Sequence, residues 1–290
     1  MQSKKLNFFI HIGFIIMCVA IVFPLIGMVM VSFSNAEDVA TYGYSFFPKH
    51  FSVEAYKLVF SDMVPLAKAL LVSLSSSIIA PALTVILCAC MGFAIGNPNF
   101  AYKKIANTYI LIPMMFSGGL IPSYIINTQL FGLSDSYLVY IALGLVSTWN
   151  IILFRTFFAG IPVSLLEAAR IDGATEFQTL LKIMVPMSKP IIGSVFFTTA
   201  LHKWNDYTLP LYYINNKDLY NVQYFLQNVM RNIQFINQTY KDNPMFAGKH
   251  LPEETLPFAV SIISCIPVLL IFPYMQKYFS KGMAVGAVKE

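Results

Sequence analysis

Few residues in this chain have the types and spacing that covalent chemistry needs. Cys18, Cys88, Cys90 and Cys265 all lie inside apolar stretches, without the paired spacing of a metal site or a disulfide framework. Each reads as a small core hydrophobe. His11, His50, His202 and His250 are scattered at the ends of apolar runs or in loops, and no Ser/His/Asp or Cys/His constellation accompanies them. No Gly-x-x-x-x-Gly-Lys-Ser/Thr phosphate loop occurs, so no residues point to ATP binding by this chain itself. No catalytic residue and no metal ligand is therefore expected. Two polar segments remain, one inside an apolar stretch and one between two such stretches.

The first is Trp204-Asn205-Asp206-Tyr207. Asp206 is the only carboxylate placed within a spanning segment, and intramembrane ionisable residues are costly and functional candidates by default. Lys203 precedes it by about one helical turn and can pair with it. Trp204 and Tyr207 offer aromatic faces for stacking, and Asn205 can hydrogen-bond a polar ligand. Trp149 and Asn150, in an earlier apolar stretch, offer the same pair of chemistries. The competing interpretation is an aromatic belt at the membrane interface.

The second is Ala159–Lys189. Pro162 suits a first helical turn. Ser164 followed by Glu167 is a capping-box pattern, continued by Leu165, Leu166, Ala168, Ala169 and Ile171. Asp172 and Gly173 break that helix. Thr175 with Gln178 opens a second helix through Leu180, Leu181 and Ile183 to Pro186. Gly173 permits an unusual backbone angle or a close approach by a partner.

The elements that position these segments are apolar. The 290 residues are 57% hydrophobic and 11% charged, with a mean hydropathy of +0.65. Soluble chains carry about 25% charge. The net charge of +5 is spread over loops, so a nucleic-acid patch is not expected. An apolar run to Val31, longer than a signal peptide's apolar core, reads as a retained first helix. Further stretches cover Leu66–Ile95, Ile105–Ile126, Tyr137–Phe158, Pro190–Ile214 and Leu256–Phe279, each near the roughly 20 residues that cross a bilayer. The expectation is an all-α membrane protein with six transmembrane helices. Most of the 19 basic residues, among them Lys4, Lys5, Lys103, Lys104, Arg155, Arg170, Lys182 and Lys189, fall on one side. That bias places both termini in the cytoplasm. The expected division is 1–65 (first helix and outer loop), 66–279 (membrane core with loop 159–189 and outer loop 212–255) and 280–290 (cytoplasmic tail). In the outer loop, Val222, Phe225, Leu226, Val229 and Ile233 space an amphipathic helix. It either lies on the protein's own surface or docks an extracytoplasmic partner.

Glu167, Ala168 and Ala169, three residues, Gly173, nine residues, Ile183, one residue, then Val185 and Pro186 resemble the EAA loop of permease subunits in binding-protein-dependent ABC importers. Val185 replaces the usual Leu and keeps an apolar residue there. The tail from Lys281 to Lys289, the Trp204-Asn205-Asp206 pattern and Gln223–Met230 are similar to the second permease subunit of maltose-type importers and to the oligosaccharide and lipoprotein-type group. This resemblance implies a type I ABC importer transmembrane domain in a bacterial cytoplasmic membrane, moving a sugar by alternating access. It implies a coupling helix in a groove of an ABC ATPase dimer, with Glu167, Ala168, Ala169, Arg170, Asp172, Gly173, Ile183 and Pro186 at the contact. It also implies a tail that enters the ATPase interface, with Gly282, Gly286 and Lys289. A companion permease, giving a heterodimer, and an extracytoplasmic solute-binding protein complete the expected assembly. ATP and Mg would sit on the ATPase, with no cofactor on this chain. The alternatives are an ABC permease for a polyamine, phosphate or peptide, an ion-coupled secondary transporter and a membrane scaffold. The lone intramembrane acid and the lack of repeated halves weigh against the secondary transporter.

Overall fold

The computed structural model describes residues 2–61, 63–97, 99–242 and 252–287, the side chains of 2–5, 240–242 and 274–287 excepted. In chain order the helices are α1 (Gln2–Ser32), α2 (Ala36–Tyr42), α3 (Glu54–Val59), α4 (Met63–Gly96), α5 (Lys103–Met115), α6 (Leu120–Ile125) and α7 (Leu138–Ala142). They continue as α8 (Thr148–Ala159), α9 (Val163–Ile171), α10 (Glu176–Thr179), α11 (Val185–Met187), α12 (Lys189–Asn205), α13 (Thr208–Tyr213), α14 (Val222–Asp242) and α15 (Leu256–Ala287). Among the described residues there is no strand, only an isolated antiparallel bridge between Ser34 and Phe51. Leu6–Ser32, Met63–Gly96 and Leu256–Pro273 are each long and apolar enough to cross a bilayer, and up to six spans result if each bent helix pair counts as one.

The chain forms two compact units, one of residues 1–66 and 225–267, the other of 67–224 and 268–290. In the first unit, α1 leads into a small aromatic cluster. Phe33 stacks on Phe51 at 5.3 Å and on Tyr56 at 4.9 Å, and the Ser32 hydroxyl meets the Tyr56 hydroxyl at 2.8 Å. Asn35 caps α2 by accepting from the Glu37 amide. Leu226 and Ile233 of α14 are buried, and so are Leu256 and Ala259 of α15. The amphipathic helix expected in the outer loop is α14, which begins at Val222 and buries Leu226 and Ile233.

The second unit has its main core where α4, α8, the chain after α10 and α12 meet. Cys88, Ala89, Ile151, Phe154, Phe158, Leu180, Met184 and Val195 form it. Gly92 allows the approach of α4 to α8, since a Cβ there would lie 2.7 Å from the Phe154 Cβ and 3.0 Å from the Arg155 amide nitrogen. A smaller cluster joins α4, α7 and α13 through Val72, Val139, Tyr140, Leu209, Tyr213 and Ile214.

Three stretches expected as continuous spans are interrupted. Between α5 and α6 the chain turns by 113°. The stretch from Tyr137 to Phe158 breaks after α7, where Leu143 is extended, Gly144 has φ 76° and Ser147 caps α8. The stretch from Pro190 to Ile214 breaks at Asp206 and Tyr207, between α12 and α13. Mean apolarity is blind to such reversals, because the breaking residues sit among Leu, Val and Tyr. Irregular backbone at membrane depth is tolerated where protein covers it.

Candidate functional site

Between α8 and α12 the chain builds the segment that the sequence marks out. It leaves α8 through Gly160 and the buried Ile161, and α9 runs at 79° to α8. The capping box expected from Ser164 and Glu167 does not form. Pro162, extended at ψ 127°, is the residue before the helix, and no side chain caps it. Pro162 has no N–H to offer a helical bond, and α9 starts at Val163, two residues earlier than a Ser164 cap would start it.

The far end of α9 closes as a Schellman motif. The Gly173 amide donates to the Arg170 carbonyl at 3.1 Å and the Ala174 amide to the Ala169 carbonyl at 2.9 Å. Gly173 takes φ 76°, the left-handed geometry this motif demands of its first non-helical residue. The capping box expected at Thr175 and Gln178 is present in both directions. The Thr175 amide donates to Gln178 Oε1 at 2.9 Å and the Gln178 amide to Thr175 Oγ1 at 3.2 Å. Beyond α10 the chain widens into a π-turn over Leu180–Met184, closed by the Val185 amide on the Leu180 carbonyl. Pro186 lacks the N–H that a regular helix would use next, and single π-turns of this kind recur at functional sites. After Ser188, α12 sets off at 81° to the preceding helix.

Burial sorts the expected contact residues. Ala169 packs inward, whereas Glu167, Ala168, Arg170, Asp172, Gly173 and Pro186 are exposed. Ile183 is half-buried, and the anchors that hold the segment to the core are Leu180 and Met184. Arg170 is turned toward its own chain. Its guanidinium meets Glu176 Oε1 at 3.0 Å, and Asn97 Nδ2 at the end of α4 donates to Glu176 Oε2 at 3.2 Å. This brace rims an apolar cavity of about 180 Å3 lined by Phe93, Phe158, Leu166 and Met184. The sequence pattern marked Ile171 only as a helix residue and Phe177 not at all. Ile171 is 86% exposed and Phe177 64% exposed, so α9 and α10 present apolar side chains outward on the segment that carries the exposed Glu167.

The Trp204–Tyr207 cluster lies at the end of α12. Lys203 does not pair with Asp206. Its Nζ donates to the Leu143 carbonyl at 2.7 Å, while Asp206 Oδ1 accepts from the Thr208 amide at 3.0 Å, the Thr208 hydroxyl at 2.7 Å and the Leu209 amide at 3.1 Å. Asp206 therefore caps α13, and its charge still acts on the Lys203 amine without a direct bond between the two. Trp204 is buried, and Tyr207 and Trp149 are the exposed rings. Asn205 Oδ1 accepts from Gln223 at 3.4 Å, and the Asn150 amide donates to Ser147 Oγ at 3.5 Å. Asn221, not singled out by sequence, is buried. It donates to the Asp206 carbonyl at 2.5 Å and accepts from the Tyr224 amide at 2.9 Å. Gly282 and Gly286 lie on the last turns of α15, and Lys289 lies outside the described residues. No group of His, Cys, Asp or Glu among the described residues is arranged to hold a metal ion.

A family described as "Binding-protein-dependent transport system inner membrane component" matches residues 89–285. The chain belongs to this family. It is similar over its whole length to the polygalacturonan/rhamnogalacturonan transport system permease protein YtcP of Bacillus subtilis (strain 168), at 32% identity across 100% of both chains. It is 30% identical to Protein LplC of the same organism over 92% of this chain and 89% of that one. Its identity to the arabinooligosaccharides transport system permease protein AraQ, also of Bacillus subtilis, is 26% over 95% and 93%. A solved bacterial ABC transporter involved in the import of the acidic polysaccharide alginate has a chain of the same fold, with a TM-score of 0.80, 24% identity and coverage of 96% and 98%. As a family member the chain is a multi-pass, inner-membrane permease component, and it is not an enzyme.

Proposed function

We propose that this permease is one subunit of an ATP-driven importer for an oligosaccharide, and that residues 163–187 couple it to an ABC ATPase. The observation that carries the coupling role is the placement of α9. It is a short helix with Glu167, Ile171 and the neighbouring Phe177 exposed, hung between α8 and α12 by bends of 79° and 81°. A push on α9 is thereby delivered to two helices of the main core. Glu167, Ala168 and Gly173 face the ATPase, joined by Ile171 and Phe177, while Arg170 steadies α9 through Glu176. The positive-inside bias supports a cytoplasmic position for this segment and for both termini. ATP and Mg bind to the ATPase dimer, a companion permease closes the pathway, and an extracytoplasmic binding protein delivers the cargo. Gly282, Gly286 and Lys289 belong to a tail that reaches the ATPase interface.

Sugar cargo is supported by the names of the relatives, which transport polygalacturonan or rhamnogalacturonan and arabinooligosaccharides. Tyr207, Trp149 and Asn150 are the candidates for contact with it, and Trp204, Asn205 and Asp206 hold the turn beside Tyr207. The test is Glu167→Ala in cells that depend on the transporter. Glu167 is exposed and its side chain makes no hydrogen bond among the described residues. Its loss should change stability by no more than about 0.5 kcal/mol, leave membrane insertion intact and abolish most of the uptake. Unchanged uptake and unchanged substrate-stimulated ATP hydrolysis would refute the coupling role.

A further inference from the structure

Lys203 is only 7% exposed, on the last turn of an apolar helix. A lysine in such a place is costly unless its amine is used. It is used on a backbone group: Nζ donates to the Leu143 carbonyl at 2.7 Å. Leu143 is the residue that ends α7. Its carbonyl belongs to the set that a helix end leaves without internal partners, at the negative end of the helix dipole. Asp206, the nearest carboxylate in sequence, is hydrogen-bonded to the first amides of α13 and reaches the Lys203 amine through its charge alone.

The position of this bond matters more than its strength. At one end, α8 and α12 are joined covalently through α9, α10 and α11. At the other end, the chain from Leu143 runs through Gly144 to Ser147, which caps α8 and accepts Ile151 as its first helical bond at 3.0 Å. Lys203 stands at the opposite end of α12 from Ser188. Its bond to Leu143 therefore links the far end of α12 to the segment that opens α8. Between the two ends, Ile151 and Phe154 of α8 and Val195 of α12 share the main core. Apolar contacts of this kind allow sliding, whereas a directed donor on one carbonyl sets one register.

We propose that Lys203 is a positioning residue that closes a frame of α8, the coupling segment and α12, so that movement of α9 reaches the 143–147 break. The proposal rests on the coupling role of α9. It makes Lys203 a transmission contact, not a sugar ligand.

The test uses the assembled transporter with its ATPase in liposomes, from a background lacking the native cysteines. A single cysteine replaces Val146, which is 49% exposed beside the break, or Ile171 on α9. The labelling rate of each by a water-soluble maleimide is measured without nucleotide and with ATP, Mg and vanadate. In the unaltered frame both rates should change on trapping. With Lys203→Met the change at residue 171 should persist and the change at residue 146 should be lost, with basal ATP hydrolysis retained. Lys203→Arg, which keeps a donor, should restore it. A nucleotide-dependent change at residue 146 that survives Lys203→Met overturns the proposal while leaving the coupling role standing. So does an arginine variant that behaves like methionine, or a methionine variant that fails to assemble, which would assign Lys203 to folding. No change at residue 171 in the unaltered complex overturns the coupling role and this proposal with it.

Discussion

Gly92 and Glu167 illustrate two opposite kinds of residue in this permease. Gly92 faces no ligand and matters through space alone. With Phe154 and the Arg155 backbone against the place of its absent Cβ, a larger side chain must push α4 off α8. Overpacking of this sort costs typically about 1–3 kcal/mol. Gly92→Leu should therefore lower the thermal midpoint of the detergent-solubilised protein, as read by a thiol-reactive dye or light scattering, and an unaltered midpoint would mean that the two helices pack elsewhere. Glu167 makes no side-chain hydrogen bond or ion pair among the described residues, so its replacement should be silent in the same assay and visible only in transport. Arg155 shows how a basic residue is housed near this packing. Its guanidinium donates to the side-chain oxygen of Asn107 on α5, a neutral partner in place of a carboxylate. Asn221 lay beyond sequence reasoning because its role is to bond backbone groups 15 and three residues away, and such a partner set leaves no local pattern.

At the scale of elements, local chemistry was legible and long-range chemistry was not. The turn at Gly173 and the capping box at Thr175 and Gln178 involve residues within a few positions of one another, and both stand as their residue types indicate. The box assigned to Ser164 and Glu167 failed because Pro162 decides the first turn before Ser164 is reached. The breaks at 116–119, 143–147 and 206–207 were hidden for a different reason. The second and third are held by contacts from distant elements, Lys203 on Leu143 and Asn221 on Asp206, whereas the first carries local bonds such as the Gly119 amide on Ser117 Oγ, and a hydropathy window records none of these. The Schellman turn offers a test at this scale. Gly173→Val forces a β-branched residue into φ 76°, where an L-residue pays about 1–2 kcal/mol. The end of α9 should unwind and transport should fall, while the amount of protein in the membrane stays the same. Full transport by Gly173→Val would show that the geometry of this turn is dispensable.

Over the whole molecule, the exposed apolar surface of α1, α4 and α15 has a plain explanation in lipid. Val19, Ile21 and Phe23 of α1, Leu71 and Ile86 of α4, and Leu269 and Leu270 of α15 are all well exposed, and bilayer hydrocarbon is as apolar as these side chains. The same explanation does not suit Ile171 and Phe177, which flank Glu167, Asp172 and Glu176 on a polar segment with two sharp bends. An apolar pair within a charged rim is the composition of a protein-binding surface. Placing a photo-reactive amino acid at Ile171 of the tagged permease, irradiating intact membranes and identifying the adduct by mass spectrometry measures this directly. The expected adduct is the ABC ATPase, formed in lower yield when Gly173→Val is also present. An adduct confined to lipid or to the permease itself, from complexes that still co-purify with the ATPase, would contradict the assignment of α9 as the coupling helix.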